Sequence, residues 1–130
     1  MARKVSKNRK FDMKKDSATG LYRIRALRDI GSIGGGFVEA GTYGGLISHK
    51  EVLSNSGACW IEYGCTVINS IIKDDAYIGG NSIVENSTVD KRARVLQNST
   101  VRDSIITENA QIHNNATIIN HCVIKGMAIV

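Results

Sequence analysis

The chain has 130 residues, of which 42% are hydrophobic and 5% aromatic, with no proline and a net charge of +5. This length is typical of one domain, and the scarcity of aromatic rings favours a core of small and β-branched side chains. No stretch reaches the roughly 18 apolar residues of a membrane-spanning helix. The charged N-terminus has no apolar run behind it, which is not the pattern of a secretory signal, so we expect a cytoplasmic protein.

The excess positive charge lies in residues 1–16, here called the basic arm. This segment holds seven basic and two acidic side chains, which accounts for the whole net charge of +5. The basic residues are Arg3, Lys4, Lys7, Arg9, Lys10, Lys14 and Lys15. Such a segment can bind phosphate or an acidic partner, or it can be a solvated tail. Phe11 is its lone aromatic residue, so the segment gives no indication that it stacks on nucleic-acid bases. We expect the arm to bind a protein partner, with nucleic acid as the alternative, and to be dispensable for folding.

Residues 17–57 predict a cap of strand and loops. Residues 21–27 alternate in part between polar and apolar, which predicts a strand. Seven glycines follow between residues 31 and 45 and predict turns, and no Gly-Lys-Ser/Thr sequence follows that would indicate a phosphate-binding loop. We interpret this segment as the cover for the first rung of the repeats that follow it.

From residue 58 onward one pattern recurs thirteen times: a small residue, any residue, then a large apolar one. The large residues are Trp60, Val67, Ile72, Ile78, Val84, Val89, Val95, Val101, Ile106, Ile112, Ile118, Ile124 and Val130. Their spacing is close to six, with a shorter step at every third interval in the first nine repeats, which predicts a coil of three sides and 17–18 residues per turn. Residues two apart in a strand point the same way, so the small and the large residue both face inward.

Stacked coils align these residues in three columns. The first column is predicted to begin at Trp60 and continue with Ile78, the second to begin at Val67, and the third at Ile72. Asparagine or a related residue precedes most of the small residues and tolerates the left-handed backbone of a sharp corner. These predicted corner residues are Asn69, Asn81, Asn86, Asn98, Asp103, Asn109, Asn115 and His121. The fold class is therefore all-β: a short three-sided parallel β-helix of about four coils over residues 58–130, with an N-terminal β/loop cap.

The repeat resembles that of the hexapeptide-repeat proteins, in which an aliphatic residue is followed by a small residue four positions later. The resemblance implies a left-handed coil, because periodicity alone does not fix the hand. The N-terminal half is similar to a narrower group of phage, prophage and enterobacterial proteins of undefined function. The blocks that carry this similarity are Tyr22-Arg23-Ile24-Arg25-Ala26-Leu27-Arg28-Asp29, Gly41-Thr42-Tyr43-Gly44-Gly45 and Leu53-Ser54-Asn55-Ser56-Gly57-Ala58-Cys59-Trp60.

Catalysis is not indicated by any set of residues in the sequence. Many hexapeptide-repeat proteins are acyltransferases with a histidine base, but His113 and His121 are predicted at corners without a carboxylate partner, and His49 lies in the cap. These three histidines do not have the spacing of a metal site. The cysteines Cys59, Cys65 and Cys122 are interpreted as reduced thiols. We therefore expect no catalytic residue, no cofactor and no metal ion.

The outer surface offers candidate interface residues. On the third face the outward positions are Ile71, Thr88, Ile105 and Val123, a largely apolar column, and Ile129 lies at the C-terminal edge. A stacked apolar column favours a cover, either residues 1–57 of the same chain or another molecule. We take Ile71, Ile105, Val123 and Ile129 as interface residues and expect a dimer or trimer.

Surfaces rather than a site therefore determine the predicted function. We expect a non-catalytic protein of a phage or mobile element that binds a macromolecular partner, such as an inhibitor of a host defence nuclease complex, acting in the host cytoplasm. The alternative is a structural β-helix component of a virion, and a hexapeptide acyltransferase comes third.

Overall fold

Short strands make up nearly all the regular structure in the computed structural model, which describes residues 9–32 and 36–130. The N-terminal strands are β1 (Phe11–Lys15), β2 (Tyr22–Ala26), β3 (Ile30–Ser32) and β4 (Gly36–Val38). The first face of the coil holds β6 (Trp60–Ile61), β9 (Tyr77–Ile78), β12 (Arg94–Val95) and β15 (Gln111–Ile112). The second face holds β5 (Tyr43–Ile47), β7 (Thr66–Ile68), β10 (Ile83–Glu85), β13 (Thr100–Arg102) and β16 (Thr117–Ile118). The third holds β8 (Ile71–Ile72), β11 (Thr88–Val89), β14 (Ile105–Ile106) and β17 (Val123–Ile124), and a 3₁₀ turn, η1, spans Lys50–Val52.

The three faces confirm the predicted parallel β-helix. Strands of each face pair in parallel with the equivalent strand of the next coil, and the connecting chain passes over the other two faces between them. The predicted second column is continuous, since Val84 pairs with both Val67 and Val101. The third column is continuous as well, with Val89 between Ile72 and Ile106. These side chains are buried, and each contributes roughly 1.5–3 kcal/mol to folding.

The predicted start of the first column is wrong by one residue. Trp60 pairs with Tyr77, and Ile61, not Trp60, pairs with the inward Ile78. Ile61 lies six residues before Val67, which restores the regular spacing that Trp60 interrupts. A strand has a period of two, so this slip places Trp60 on the other side of the ladder, where it is nevertheless buried.

The coil begins earlier than residue 58. Ile47 of β5 pairs in parallel with Val67, and Leu53 forms a parallel bridge to Ile72. The second face accordingly has five parallel strands, so the helix has about five turns instead of the predicted four. Gly44 and Gly45, predicted as turn residues, instead lie inside β5. Glycine is required there because a Cβ on either residue would come within 2.6 Å of a carbonyl oxygen, that of Ile61 or that of Cys65.

The basic arm is not separate from the fold. Strand β1 pairs antiparallel with β2, and β2 with β5, so both extend the sheet of the second face to seven strands. Phe11 is part of the hydrophobic core. Residues 10–15 are therefore integral to the cap, and the expectation that the arm is dispensable for folding is wrong for them. Arg3, Lys4 and Lys7 lie outside the described residues.

The corners have the predicted left-handed backbone. Of the eight corner residues proposed from the sequence, seven have positive φ, between 48° and 62°. The exception is Asn109, whose corner instead has Glu108 at a φ of 63°. The sequence therefore identifies the corners, although at one of them it misplaces the bend by a residue.

A ladder of small hydroxyl residues runs beside the third face. Ser70 Oγ accepts from the Ser87 N–H at 3.0 Å, and Ser87 Oγ accepts from the Ser104 N–H at 3.1 Å. Ser104 Oγ continues the ladder to the Cys122 N–H at 3.2 Å. The small residue of the repeat thus fits the corner by its size and also satisfies a backbone donor there.

The inward and outward assignments predict opposite effects for two adjacent substitutions. Val101→Asp places an unpaired carboxylate in a fully buried column and should destabilise the fold by about 4 kcal/mol or more. Thr100→Asp introduces the same side chain at the neighbouring outward position and should shift the free energy of unfolding by less than about 1 kcal/mol. Thermal unfolding followed by circular dichroism measures both, and equal melting temperatures would contradict the assignment.

Candidate functional site

An apolar row on the third face of the coil is exposed to solvent. Ile71, Ile105 and Val123 are 49%, 44% and 56% exposed and are aligned by the parallel register through Thr88. We call these four residues the third-face row. The described part of the cap does not cover this row. Of the two candidate covers for the apolar column, the described cap residues are therefore not the one.

Ile129 does not belong to this row. It is 66% exposed but bridges Gln111, which places it on the first face of the coil. The four candidate interface residues therefore form two separate surfaces, the third face and the C-terminal edge, as the sequence analysis places them. Their role in an interface remains a prediction.

A groove of about 640 Å³ opens at the N-terminal end of the row. One wall is the side of β1 that carries Phe11 and Met13, and the other includes Leu53 of the first coil. Ile71 lines the groove and also begins the third-face row, so the two surfaces are continuous. Apolar and charged side chains both line the groove, and its volume is typical of a ligand-binding cleft.

Three cationic side chains line the groove with one acidic one. Arg9 precedes β1, Lys50 and Glu51 belong to η1, and Lys73 follows β8. No local signal in the sequence indicates this cluster, because its successive cationic members are 41 and 23 residues apart and meet only when β1 folds over the first coil. The continuity of β1 with the sheet is what brings Arg9 to this place.

The remaining basic residues of the arm have different environments. Lys14 and Lys15 are exposed on β1. Lys10 is 0% exposed, so it cannot contact a partner, and its predicted role in partner binding is wrong. Lys10 is buried because it closes the open end of the first coil.

Lys10 supplies hydrogen bonds that a preceding coil would otherwise give. In the second coil the carbonyl of Asp74 accepts from Cys59 N–H at 2.9 Å. The corresponding carbonyls of the first coil belong to Gly57 and Cys59 and have no coil before them. Lys10 Nζ donates to Cys59 O at 2.7 Å and to Gly57 O at 3.4 Å, which satisfies acceptors that are costly to leave unpaired.

The charge of Lys10 is held in a weakly solvated place. Burial lowers the pKa of Lys10 below its usual value, an effect that the neighbouring Cys59 partly opposes. Cys59 Sγ lies 3.1 Å from Lys10 Nζ, and burial raises the pKa of the Cys59 thiol. A thiol with a raised pKa is a poor nucleophile, so we assign this pair a structural role.

The histidines have one feature that the sequence did not indicate. His49 Nδ1 lies 3.1 Å from Glu51 Oε1, and both side chains are largely exposed. A histidine with a carboxylate partner is the arrangement of a general base, although here the pair is at the surface. His121 is at a corner with a φ of 62°, as predicted, and His113 is half-buried.

Two further observations concern metal ions and membranes. Within residues 9–32 and 36–130, no three histidine, cysteine, aspartate or glutamate side chains are grouped as a metal site would require. In the same part of the chain no helix has the length and apolar character needed to cross a bilayer.

Comparison with known families supports the architecture. A family model described as GlmU-like, C-terminal hexapeptide matches residues 49–130, which is more than half of the chain. The match begins ahead of η1, in agreement with a coil that starts upstream of residue 58. No curated protein matches the chain.

The capping role of Lys10 predicts a selective loss of stability. Lys10→Met keeps the aliphatic stem but leaves the carbonyls of Gly57 and Cys59 without a donor, and should cost about 1–3 kcal/mol. Lys14→Met removes an equal charge from an exposed position of β1 and should change the free energy of unfolding by less than about 0.5 kcal/mol. Urea unfolding of the two variants and the wild type makes the comparison. Equal midpoints for Lys10→Met and the wild type would show that the ammonium group does not cap the coil.

Proposed function

Because the chain belongs to the GlmU-like, C-terminal hexapeptide family, we propose that its coil serves as a rigid support for binding a macromolecular partner. Hexapeptide-repeat domains occur in acyltransferases and also in proteins that are not enzymes. We place this chain among the latter, as a non-catalytic interaction protein. The partner is a protein, and nucleic acid is the less favoured alternative.

The third-face row carries this proposal. Its exposed aliphatic side chains are held in register by parallel backbone pairing, so a partner meets a preorganised apolar surface. Little conformational entropy is lost when such a surface binds, because the backbone is already fixed. Apolar positions stacked one above another in this way are typical of surfaces that bind proteins.

The resemblance of the N-terminal half to phage and prophage proteins supports a more specific role. We propose that the chain inhibits a host defence nuclease complex by binding one of its protein surfaces in the host cytoplasm. A rigid apolar face next to a basic groove supports this role, since the two together offer contact area and charge for a protein surface.

A substitution on the third face tests the proposal with a matched control. Ile105→Lys places a charge in the middle of the row and should reduce capture of the partner from host cells at least tenfold. Ile83→Lys makes the same change at an outward position of the second face, where Ile83 is also exposed, and should leave capture unchanged. Affinity capture with quantitative mass spectrometry measures both. The captured protein is expected to be a subunit of a nuclease complex, and purified chain should inhibit that nuclease. Equal capture by the two variants would contradict binding through the third face.

A second copy of the chain is the other candidate occupant of the third face, since we expect a dimer or trimer. Light scattering at high micromolar concentration measures the mass of the wild type, and Ile105→Lys should then give a smaller particle. A wild-type monomer would remove self-association and leave the row to a foreign partner.

One observation favours acyl transfer as a second candidate function: the hydrogen bond between His49 and Glu51. A carboxylate that orients an imidazole supports its action as a base. Release of free thiol from acetyl-CoA in the presence of amine and alcohol acceptors would reveal the activity, and His49→Gln should lower its rate about 100-fold. His113→Gln is the control and should have no effect. Absence of thiol release with the wild type would remove this candidate.

A further inference from the structure

Strand β1 ends its sheet, and within the described residues no strand pairs with its outer edge, where the Phe11 carbonyl accepts from Arg9 Nη2 at 3.3 Å. In the sheet order β1 is the terminal strand, and it pairs with β2. Lys10 O accepts from Leu27 N–H at 2.8 Å, on the β2 side of the strand. Backbone groups alternate in direction along a strand, so the N–H and C=O of Met13 point to the opposite edge. An unpaired edge of this kind can accept an additional strand.

The same strand forms one wall of the groove. Phe11 and Met13 line it from β1, and Ile71 lines it from the third face. An extended peptide on the β1 edge would direct every second side chain to one side. An apolar side chain on that side would contact Met13 and Ile71, which are both accessible to solvent. The geometry therefore suits an extended segment better than a helix.

The charge of the groove selects the composition of that segment. Arg9, Lys50 and Lys73 line it together with a single acidic residue, Glu51. Glu51 is already hydrogen-bonded to His49. The cationic side chains would attract carboxylates and repel basic segments. Lys14 and Lys15, exposed on β1, add charge of the same sign.

The chain itself does not offer a suitable N-terminal occupant. Residues 1–8 contain Arg3, Lys4 and Lys7 and no acidic residue. Their composition therefore does not complement a groove lined by cationic side chains. Nucleic acid fits less well than a peptide, because the ring that lines the groove, Phe11, is buried and presents no face for base stacking.

We propose that the groove binds an extended acidic segment of a partner protein as an additional strand on β1. This inference rests on the proposed function and names the chemistry of the partner. The segment has carboxylates that contact the cationic residues of the groove and at least one apolar side chain that contacts Met13 and Ile71. The third-face row then provides a second contact area that begins at Ile71, where the groove ends.

The test uses the full chain and a defined probe. The probe is a fluorescent peptide of about eight alternating glutamate and valine residues, and fluorescence anisotropy measures its binding at low and at physiological salt. We expect binding that weakens as salt rises. Lys73→Glu should reduce affinity about tenfold or more. The matched control is Lys125→Glu, because Lys125 occupies the equivalent exposed position after the last strand of the third face, and it should bind as the wild type does.

Modified probes test the mode of binding. Methylation of the backbone nitrogens on one edge of the peptide removes the donors that would pair with β1, and should abolish binding when that edge is the one facing β1 and spare it when the other edge is methylated. A peptide with lysine in place of glutamate should not bind. Equal affinity of Lys73→Glu and Lys125→Glu, or equal affinity of the acidic and basic peptides, would overturn the proposal. Tighter binding of a single-stranded oligonucleotide at the same site would also overturn it, as would a dimer that the acidic peptide dissociates, since the groove would then belong to nucleic acid or to a second copy.

This experiment separates the inference from the proposed function. Ile105→Lys should bind the acidic peptide normally, since Ile105 does not line the groove. Loss of partner capture by Ile105→Lys together with failure of the peptide at the groove would overturn only the inference. Unchanged partner capture by Ile105→Lys together with peptide binding that depends on Lys73 would overturn the third-face proposal and leave the groove as the binding site.

Discussion

Backbone hydrogen bonding between successive coils is the interaction on which this structure depends. Each coil accepts hydrogen bonds from the coil before it and donates to the coil after it, as from Tyr77 N–H to Ala93 O at 3.0 Å. The first coil has nothing before it, so its carbonyls need donors from elsewhere. On the second face β2 and β1 continue the sheet, and at the start of the first face a lysine ammonium group supplies the donors. Burial of Lys10 is thus a consequence of closing one end of a solenoid.

Closing the coil in this way also creates the groove. The cap continues the second face and then passes over the end of the core, where Phe11 and Met13 lie opposite the first coil. Arg9 and Lys10 directly precede β1; Arg9 lines the groove, and Lys10 is buried. Two adjacent basic residues therefore have different environments: Lys10 is buried and completes the fold, whereas Arg9 is exposed and donates to Phe11 O at 3.3 Å. The charge of the segment alone could not distinguish them.

The repeat was predictable because its signal is periodic. The second and third columns follow from the spacing of aliphatic residues, and the corners follow from asparagine. The errors have local causes. Trp60 fits the small-x-large pattern, but the residue that pairs with the inward Ile78 is Ile61. Gly44 and Gly45 resemble turn residues, but they lie in a strand, and they are glycines because another segment passes too close for a side chain.

The groove and the His49–Glu51 pair could not be predicted, since both depend on how the cap folds over the coil. No periodicity describes that part of the chain, and its contacts join residues far apart in sequence, such as Lys10 and Cys59. What the sequence did indicate is the apolar character of Ile71, Ile105 and Val123. It could not show that the described cap leaves them open.

The regular spacing of the coils also limits which partner surfaces could fit the third face. Stacked strands are about 4.8 Å apart, so each coil contributes one outward position of the row at a fixed interval. Three of these positions are aliphatic, while Thr88 places a hydroxyl group between Ile71 and Ile105. A partner that fits this row must present apolar groups at the same interval and tolerate one polar neighbour, and it cannot rely on the coil to adjust. Under the proposed function, specificity on the third face would depend on which side chain occupies each rung, whereas in the groove it would depend on charge and on the outer edge of β1.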